Sequence, residues 1–451
     1  MRHFRSLALV ASLALSQIAS AAPWSRTGSQ DVPATQQTHN LAAAISDADL
    51  GSAGPLESDL IPRKAKPKNI MRGVNIGSWL ILEFWMTPGV FAGTDAKDQI
   101  TFDATPGAQS KLKKHWETFF TEDDVEQLAA WGINALRIPI GFWAYDNDNT
   151  PYITGADAYL EKAVGWARKH NMKVIVDCHG SPGSQNGFDS SGRSGIVQWQ
   201  NPWNLERSIE VLETIAKKYG SKKYADVVYG IELVNEPISW GDNNFLITKL
   251  WAQAAYHRVQ AAADNDNLAI IMHDGFMRPE NWVDVGLNIT RQLFHTKANM
   301  NFVLDSHLYQ NQMDEDSKLT QKQHIEKACG WRTSEPLNEN QNGMPVIVGE
   351  FSAQTNICAN PDGTIIPGTV CTKKGCQCSS NVDVQYWSQP LIDAHRRFVE
   401  AQLDTFESST QGWFMWAYKG PGAWGLDNAV KYGLIGKKVT DRKFPNQCKG
   451  S

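Results

Sequence analysis

Eight short runs of β-branched and apolar residues recur along this chain, and amphipathic helical stretches lie between most of them. That alternation constrains the fold more than any other feature. The runs are Ile70–Ile76, Ala135–Ile140, Val174–Cys178, Val227–Val234, Leu268–Met272, Phe302–Ser306, Val346–Gly349 and Trp413–Trp416. Strands alternating with helices make a parallel sheet, either closed into a barrel or open and doubly wound. One helix is legible in detail. Thr121 suits an N-cap, and Glu122, Asp123 and Asp124 place negative charge in the first turn. Val125, Leu128 and Ala129 keep the i, i+3, i+4 spacing of a buried face, and Gly132 is placed to end the helix. Further helices are expected near Tyr159–Lys169 and Arg396–Phe406. No Gly-x-Gly-x-x-Gly loop follows an early run, which disfavours an open nucleotide-binding sheet. The expected fold class is α/β, a (β/α)8 TIM barrel forming a single catalytic domain over residues 68–451.

The rest of the chain reads as targeting and processing sequence. Arg2, His3 and Arg5 precede a short apolar stretch, Ser6–Ser16, and the small residues Ala19-Ser20-Ala21. This is the pattern of a secretory signal peptide over residues 1–21. Residues 22–67 are rich in Ala, Ser, Asp, Gln, Thr and Pro without periodicity, as in a disordered leader or propeptide. The apolar stretch is too short to span a bilayer, so no membrane association is expected. A net charge of −5 leaves no basic excess for nucleic acid. The seven cysteines fit an oxidising compartment. Cys358, Cys371, Cys376 and Cys378 crowd one stretch that contains no histidine, so disulfides in an undetermined order are expected there rather than a metal. An odd count leaves one thiol over. Cys178, inside a strand run, is the candidate, packing as a small hydrophobe.

Two glutamates carry the chemistry. Glu236 follows the fourth run, after Asn235, and Glu350 follows the seventh. A (β/α)8 barrel keeps its reacting groups at the C-terminal ends of its strands, where residues distant in sequence converge. Glycoside hydrolysis needs two carboxyls, one to protonate the leaving oxygen and one to attack the sugar or activate water. Glu236 is expected as the acid/base and Glu350 as the nucleophile. Asn235 is placed to hydrogen-bond a sugar hydroxyl. Arg137 and Tyr309 are placed to donate to Glu350 and keep it ionised. His179, His307 and Trp416 end other strand runs, with Trp416 as a floor beneath the sugar. Each of these has a plainer reading: an ion-pair partner for Arg137, core packing for the histidines and Trp416. No His-x-His or His-Glu-x-x-His spacing supports a metal, and no cofactor is expected.

These residues resemble fungal exo-β-1,3-glucanases of glycoside hydrolase family 5. The resemblance covers residues 68–448 and rests most specifically on Asp177-Cys178-His179-Gly180-Ser181-Pro182-Gly183-Ser184-Gln185-Asn186-Gly187. Asn235-Glu236-Pro237 and Gly349-Glu350-Phe351 match motifs shared by many related barrels. The resemblance implies a retaining hydrolase that releases glucose from the non-reducing ends of β-1,3-glucan, secreted to the cell wall or medium and acting as a monomer. It implies that Glu83 binds the terminal sugar, that Phe188 is one half of an aromatic clamp, and that Cys329 pairs with Cys448. The sequence departs from the family at Phe84, where proline is common, and at Gln312, where the other clamp aromatic stands. The alternatives are β-1,6-glucan hydrolysis or transglycosylation on the same barrel, or a non-catalytic cell-wall glucan-binding protein.

Overall fold

The computed structural model describes residues 70–293, 301–335, 337 and 343–449. The signal and leader segments read from the sequence lie outside them. Eight parallel strands close into a barrel: β1 (Met71–Asn75), β2 (Ala135–Gly141), β3 (Lys173–Gly180), β4 (Val228–Glu232), β5 (Ala269–His273), β6 (Phe302–His307), β7 (Val346–Phe351) and β8 (Gly412–Met415). Each pairs with the next, and β8 closes on β1. Helices α1 (Glu122–Ala130), α2 (Asp157–Lys169), α3 (Pro202–Tyr219), α4 (Phe245–Ala262), α5 (Val283–Leu293), α6 (Gln321–Ser334) and α7 (Gln389–Ser409) connect successive strands, and α8 (Leu426–Tyr432) follows β8. This is the (β/α)8 TIM barrel expected from the alternation.

Period-2 alternation sorts the strand residues into two cores. Val74, Leu136, Val174, Leu304 and Val348 face the helices. Met71, Ala135, Ile175, Ile271, Val303, Ile347 and Phe414 fill the barrel's interior floor. Phe414 fits there because Gly73 opposite has no side chain; a Cβ on Gly73 would lie 2.1 Å from its ring. Two residues further along the strands, the interior turns polar with Asn75, Arg137, Asp177, His273 and Asp305, all fully buried. The apolar layer therefore supports a charged layer, and the charged layer supports the mouth.

The expected cap of α1 is present. Thr121 N–H donates to Asp124 Oδ2 at 2.8 Å, and Asp124 Oδ1 accepts from Tyr418 Oη at 2.7 Å, tying the helix to the segment after β8. Gly132 has φ +87°, the left-handed conformation that ends a helix without a side-chain clash. Two strand runs end elsewhere than the sequence suggests. β4 stops at Glu232, because the chain turns and Glu236 takes φ +46°. Glu350 lies within β7 rather than past it, on account of a bulge described below. After β7 a small three-stranded sheet (Ile357–Ala359, Ile365–Pro367, Gln377–Cys378) is stapled by Cys358–Cys378 and Cys371–Cys376. Cys329 on α6 joins Cys448, and Cys178 is a buried free thiol.

Candidate active site

Arg137 organises the charged layer. Its Nε and Nη2 donate to Glu232 at 2.7 and 2.9 Å, its Nη1 to Asn75 Oδ1 and Glu350 Oε1 at 3.0 Å each, and its Nη2 to Asn235 Oδ1 at 2.8 Å. Asp177 Oδ2 lies 3.2 Å from Nη2. The plain ion-pair reading and the site reading of Arg137 thus both hold in one side chain. Burial lifts the Glu232 carboxyl well above its ordinary value against the Arg137 charge. Burial also lifts Asp177, but Arg137 and His179 outweigh it and hold that carboxyl low.

Glu350 and Glu236 face each other across His307. Glu350 is held on both oxygens, by Arg137 Nη1 and by Tyr309 Oη at 2.8 Å. Glu236 Oε1 lies 2.7 Å from His307 Nδ1, and Glu350 Oε2 lies 3.4 Å from the same nitrogen. The two carboxyl oxygens are therefore no more than about 6 Å apart, inside the roughly 6.5–9.5 Å that inverting glycosidases need for a water. Burial raises Glu350 above the ordinary carboxylate value despite the opposing His307 and Arg137 charges, and the Glu236 charge adds to the rise. Burial lifts Glu236 as well, but the His307 hydrogen bond and charge reverse it and hold Glu236 low. His307 itself is pushed well up: burial opposes its charge, and Glu350 and Asp305 overcome burial.

The other expected residues arrange around this pair. His179 Nδ1 is 2.6 Å from Asp177 Oδ2, its Nε2 is 3.4 Å from Asn235 Nδ2, and its ring stacks on Trp416 at 5.4 Å. Glu83 is buried, accepts from Trp85 Nε1 at 2.9 Å through Oε2, and leaves Oε1 without a partner. Burial, then the Asp189 charge, raise Glu83 well above its ordinary value, and the charges of Glu350 and Glu236 reach it. The Phe188 side chain is 42% exposed, and its backbone N–H donates to Asn186 Oδ1 at 2.9 Å. Position 312, the glutamine where a second clamp aromatic is common, is exposed.

Sequence reasoning passed over several supporting residues. Gln185 Nε2 donates to the backbone carbonyls of His179 and Asn235 at 2.7 and 2.8 Å, and Asn186 Nδ2 donates to the Glu236 carbonyl at 3.1 Å. These bonds hold the left-handed turn that presents Glu236. Both amides lie in the Asp177–Gly187 run, so the motif was visible although their role was not. Glu232, Asp305 and His273 had no signal beyond inward parity on a strand. Among the described residues, besides the four cysteines already paired in disulfides, two groups could offer ligands to a cation, Glu236 with His273 and His307, and Glu232 with Asp305 and His307, their ligand atoms lying within 4.8 Å. Arg137 already brings positive charge there, 2.7 Å from Glu232 and 3.8 Å from Asp305.

A closed parallel barrel with two glutamates meeting at its mouth has the architecture of a glycoside hydrolase. Residues 97–419 match the family model for cellulase, glycosyl hydrolase family 5. The chain is 34% identical to the glucan 1,3-beta-glucosidase of Blumeria graminis, across 90% of this chain and 96% of that protein. It is 35% identical to glucan 1,3-beta-glucosidase I/II of Saccharomyces cerevisiae, across 84% and 87%. It is 37% identical to the probable glucan 1,3-beta-glucosidase A of Emericella nidulans, across 84% and 93%. Among solved structures, rutinosidase from Aspergillus niger superposes with a TM-score of 0.63 at 22% identity, covering 81% of this chain and 98% of that one, a likeness of fold. The chain belongs to glycosyl hydrolase family 5, and it is a glycoside hydrolase.

Proposed function

We propose that this enzyme removes glucose from the non-reducing ends of β-1,3-glucan with retention of configuration. The observation that supports retention is the shared nitrogen, His307 Nδ1, which brings one oxygen of each carboxyl within about 6 Å, below the roughly 6.5–9.5 Å separation of inverting enzymes. The β-1,3 linkage and terminal attack follow the relatives, whose names specify a 1,3-beta-glucosidase.

Glu350 is the nucleophile. A permanent cation and a phenol hydroxyl occupy its two oxygens, so it has no oxygen from which to deliver a proton, while both donors favour its ionised form. Glu236 is the acid/base. Among the described residues only Oε1 has a hydrogen-bond partner, which leaves Oε2 to carry the proton to the glycosidic oxygen. In the first step Glu350 bonds to the anomeric carbon as the C–O bond breaks and Glu236 protonates the departing oxygen. In the second, Glu236 takes a proton from water, which displaces Glu350 and releases β-glucose. Asn235 and Glu83 bind sugar hydroxyls, and Trp416 and Phe188 supply apolar faces. No metal takes part, so activity in EDTA is expected to be unchanged. The protein is secreted through residues 1–21, carries 22–67 as a disordered leader or propeptide, and acts as a monomer on cell-wall glucan; the three disulfides fit that route. Among the described residues, no helix is long and apolar enough to cross a membrane.

The test is inactivation by 2,4-dinitrophenyl 2-deoxy-2-fluoro-β-glucoside, followed by peptide mass analysis. The fluorosugar should be found on Glu350. A label elsewhere would overturn the role assignment. Laminarin should yield glucose alone from the start, initially as the β-anomer; oligosaccharides at early times would point to internal cleavage. Faster turnover of β-1,6-glucan would move the linkage.

A further inference from the structure

Strict alternation along β7 would aim Glu350 the wrong way. Val346 and Val348 face the helices, and Ile347 faces the barrel interior. Continued at period 2, residue 350 would join Val346 and Val348 on the outside. Instead Phe351 packs outside, and Glu350 bonds inward to Arg137 and Tyr309. The ladder shows why. Asp305 pairs with Ile347 and Ser306 with Val348, but His307 pairs with Glu350, so one extra residue, Gly349, is inserted. The same irregularity appears on the other side of the strand, where Trp413 pairs with Val348 and Met415 with Phe351. Bulges of this kind re-aim side chains beside active sites.

Both backbone groups of Gly349 are taken by side chains from other strands. Its N–H donates to Asp305 Oδ1 at 2.5 Å, and its carbonyl accepts from Asn75 Nδ2 at 2.8 Å. The glycine is not there for a left-handed turn, since its φ is not positive. It is there because a Cβ would fall 1.8 Å from Asp305 Oδ2. Asp305 is fully buried, and its Oδ2 lies 3.5 Å from His307 Nε2 and 3.8 Å from Arg137 Nε.

We infer that Asp305 is a positioning residue for the reaction: by occupying the side-chain space of Gly349 and accepting its N–H, it fixes the bulge that turns Glu350 toward the sugar. This rests on the reading of Glu350 as nucleophile. The essential property is an acceptor at Oδ1, which asparagine can keep and alanine cannot.

The experiment measures glycosylation with 2,4-dinitrophenyl β-glucoside, whose leaving group needs little acid assistance, so that the rate reports the nucleophile. Asp305→Ala is expected to lower kcat about 100-fold with KM changed by no more than about threefold, as for a displaced reacting group. Asp305→Asn is expected to stay within about fivefold of the parent enzyme. An Asp305→Ala enzyme with near-parental kcat, or an Asp305→Asn enzyme as impaired as Asp305→Ala, would overturn the inference. Should Asp305→Ala fail to fold, Gly349→Ala serves instead: its Cβ displaces the Asp305 carboxylate, and the same loss of kcat is expected, whereas a folded Gly349→Ala enzyme of normal kcat counts against the proposal. Labelling the parent enzyme with the 2-fluoro sugar separates the two readings. A label on another residue removes the nucleophile assignment itself, whereas a label on Glu350 with an unslowed Asp305→Ala enzyme removes only the role of Asp305.

Discussion

Glu236 and Glu350 are the same side chain in different surroundings, and the surroundings divide their work. Glu350 has two donors that cannot leave it near neutral pH; Glu236 has one partner, and that partner titrates. Replacing Tyr309 with phenylalanine removes a donor from the ionised form of Glu350. Its carboxyl, already raised by burial, should rise further, so the acid limb of kcat/KM should move to higher pH. The lost bond to a charged group is worth about 1.5–3 kcal/mol, or roughly 10- to 100-fold in rate if it is fully expressed in the transition state. A pH–rate profile checks both, and an unmoved acid limb would show that Tyr309 does not govern Glu350. Glu236→Ala should behave differently. On laminarin, where the leaving group is a sugar alcohol, kcat/KM is expected to fall about 10²–10⁴-fold. On a dinitrophenyl glucoside the first step should be nearly normal, and added azide should restore turnover as a β-glucosyl azide. Equal losses on both substrates would remove the acid role.

At the scale of elements, most of the barrel was legible because period-2 and period-3.6 patterns are local. The eight runs, the α1 cap at Thr121 and the converging polar residues at strand ends all follow from neighbours in sequence. What escaped was set by residues far apart. The bulge at Gly349 depends on Asp305 and Asn75, which lie on two other strands, and nothing near position 349 announces it. The left-handed turn at Glu236 depends in the same way on Gln185 and Asn186 from the loop after β3. Among the candidate site residues, His307 and Tyr309 were placed by counting to strand ends, whereas Glu232 and Asp305 lie a layer deeper, level with Arg137, and read only as polar residues in apolar runs. One link between elements has a measurable weight. Cys329 and Cys448 join α6 to the C-terminal tail across 119 residues of chain. Replacing both with serine is expected to cost about 2–5 kcal/mol, chiefly through the freed unfolded state. Urea unfolding would measure it, and an unchanged midpoint would mean the tail is held by its other contacts alone.

Across the whole molecule, buried titratable groups outside the reacting pair pull stability in opposite directions with pH. Burial pushes His324 and His395 down to about 4. An unfolded histidine takes its proton near pH 6.5, so between those values the unfolded chain binds more protons and these groups withdraw stability as pH falls. Burial pushes Asp103 and Asp274 up to about 7. An unfolded aspartate keeps its proton only below about pH 3.9, so over the intervening range the folded state binds more protons, and these groups withdraw stability as pH rises toward 7. The enzyme therefore carries opposing slopes over the acidic range rather than one steep one. Asp274 can be isolated. Its Oδ2 accepts from Ser306 Oγ at 2.7 Å and its Oδ1 from Phe276 N–H at 2.9 Å; an asparagine keeps the second bond through Oδ1, donates from its amide to the Ser306 oxygen, and never ionises. Asp274→Asn should therefore be more stable, relative to the parent, at pH 8 than at pH 4.5. The difference should shrink by up to about 1.4 kcal/mol per unit as pH falls from 7 toward 4, one proton's worth of linkage. Urea unfolding of both proteins at the two pH values tests it. A difference that stays constant with pH would mean that Asp274 titrates alike in the folded and unfolded chains, and that its burial beneath the mouth leaves no trace in the pH dependence of stability.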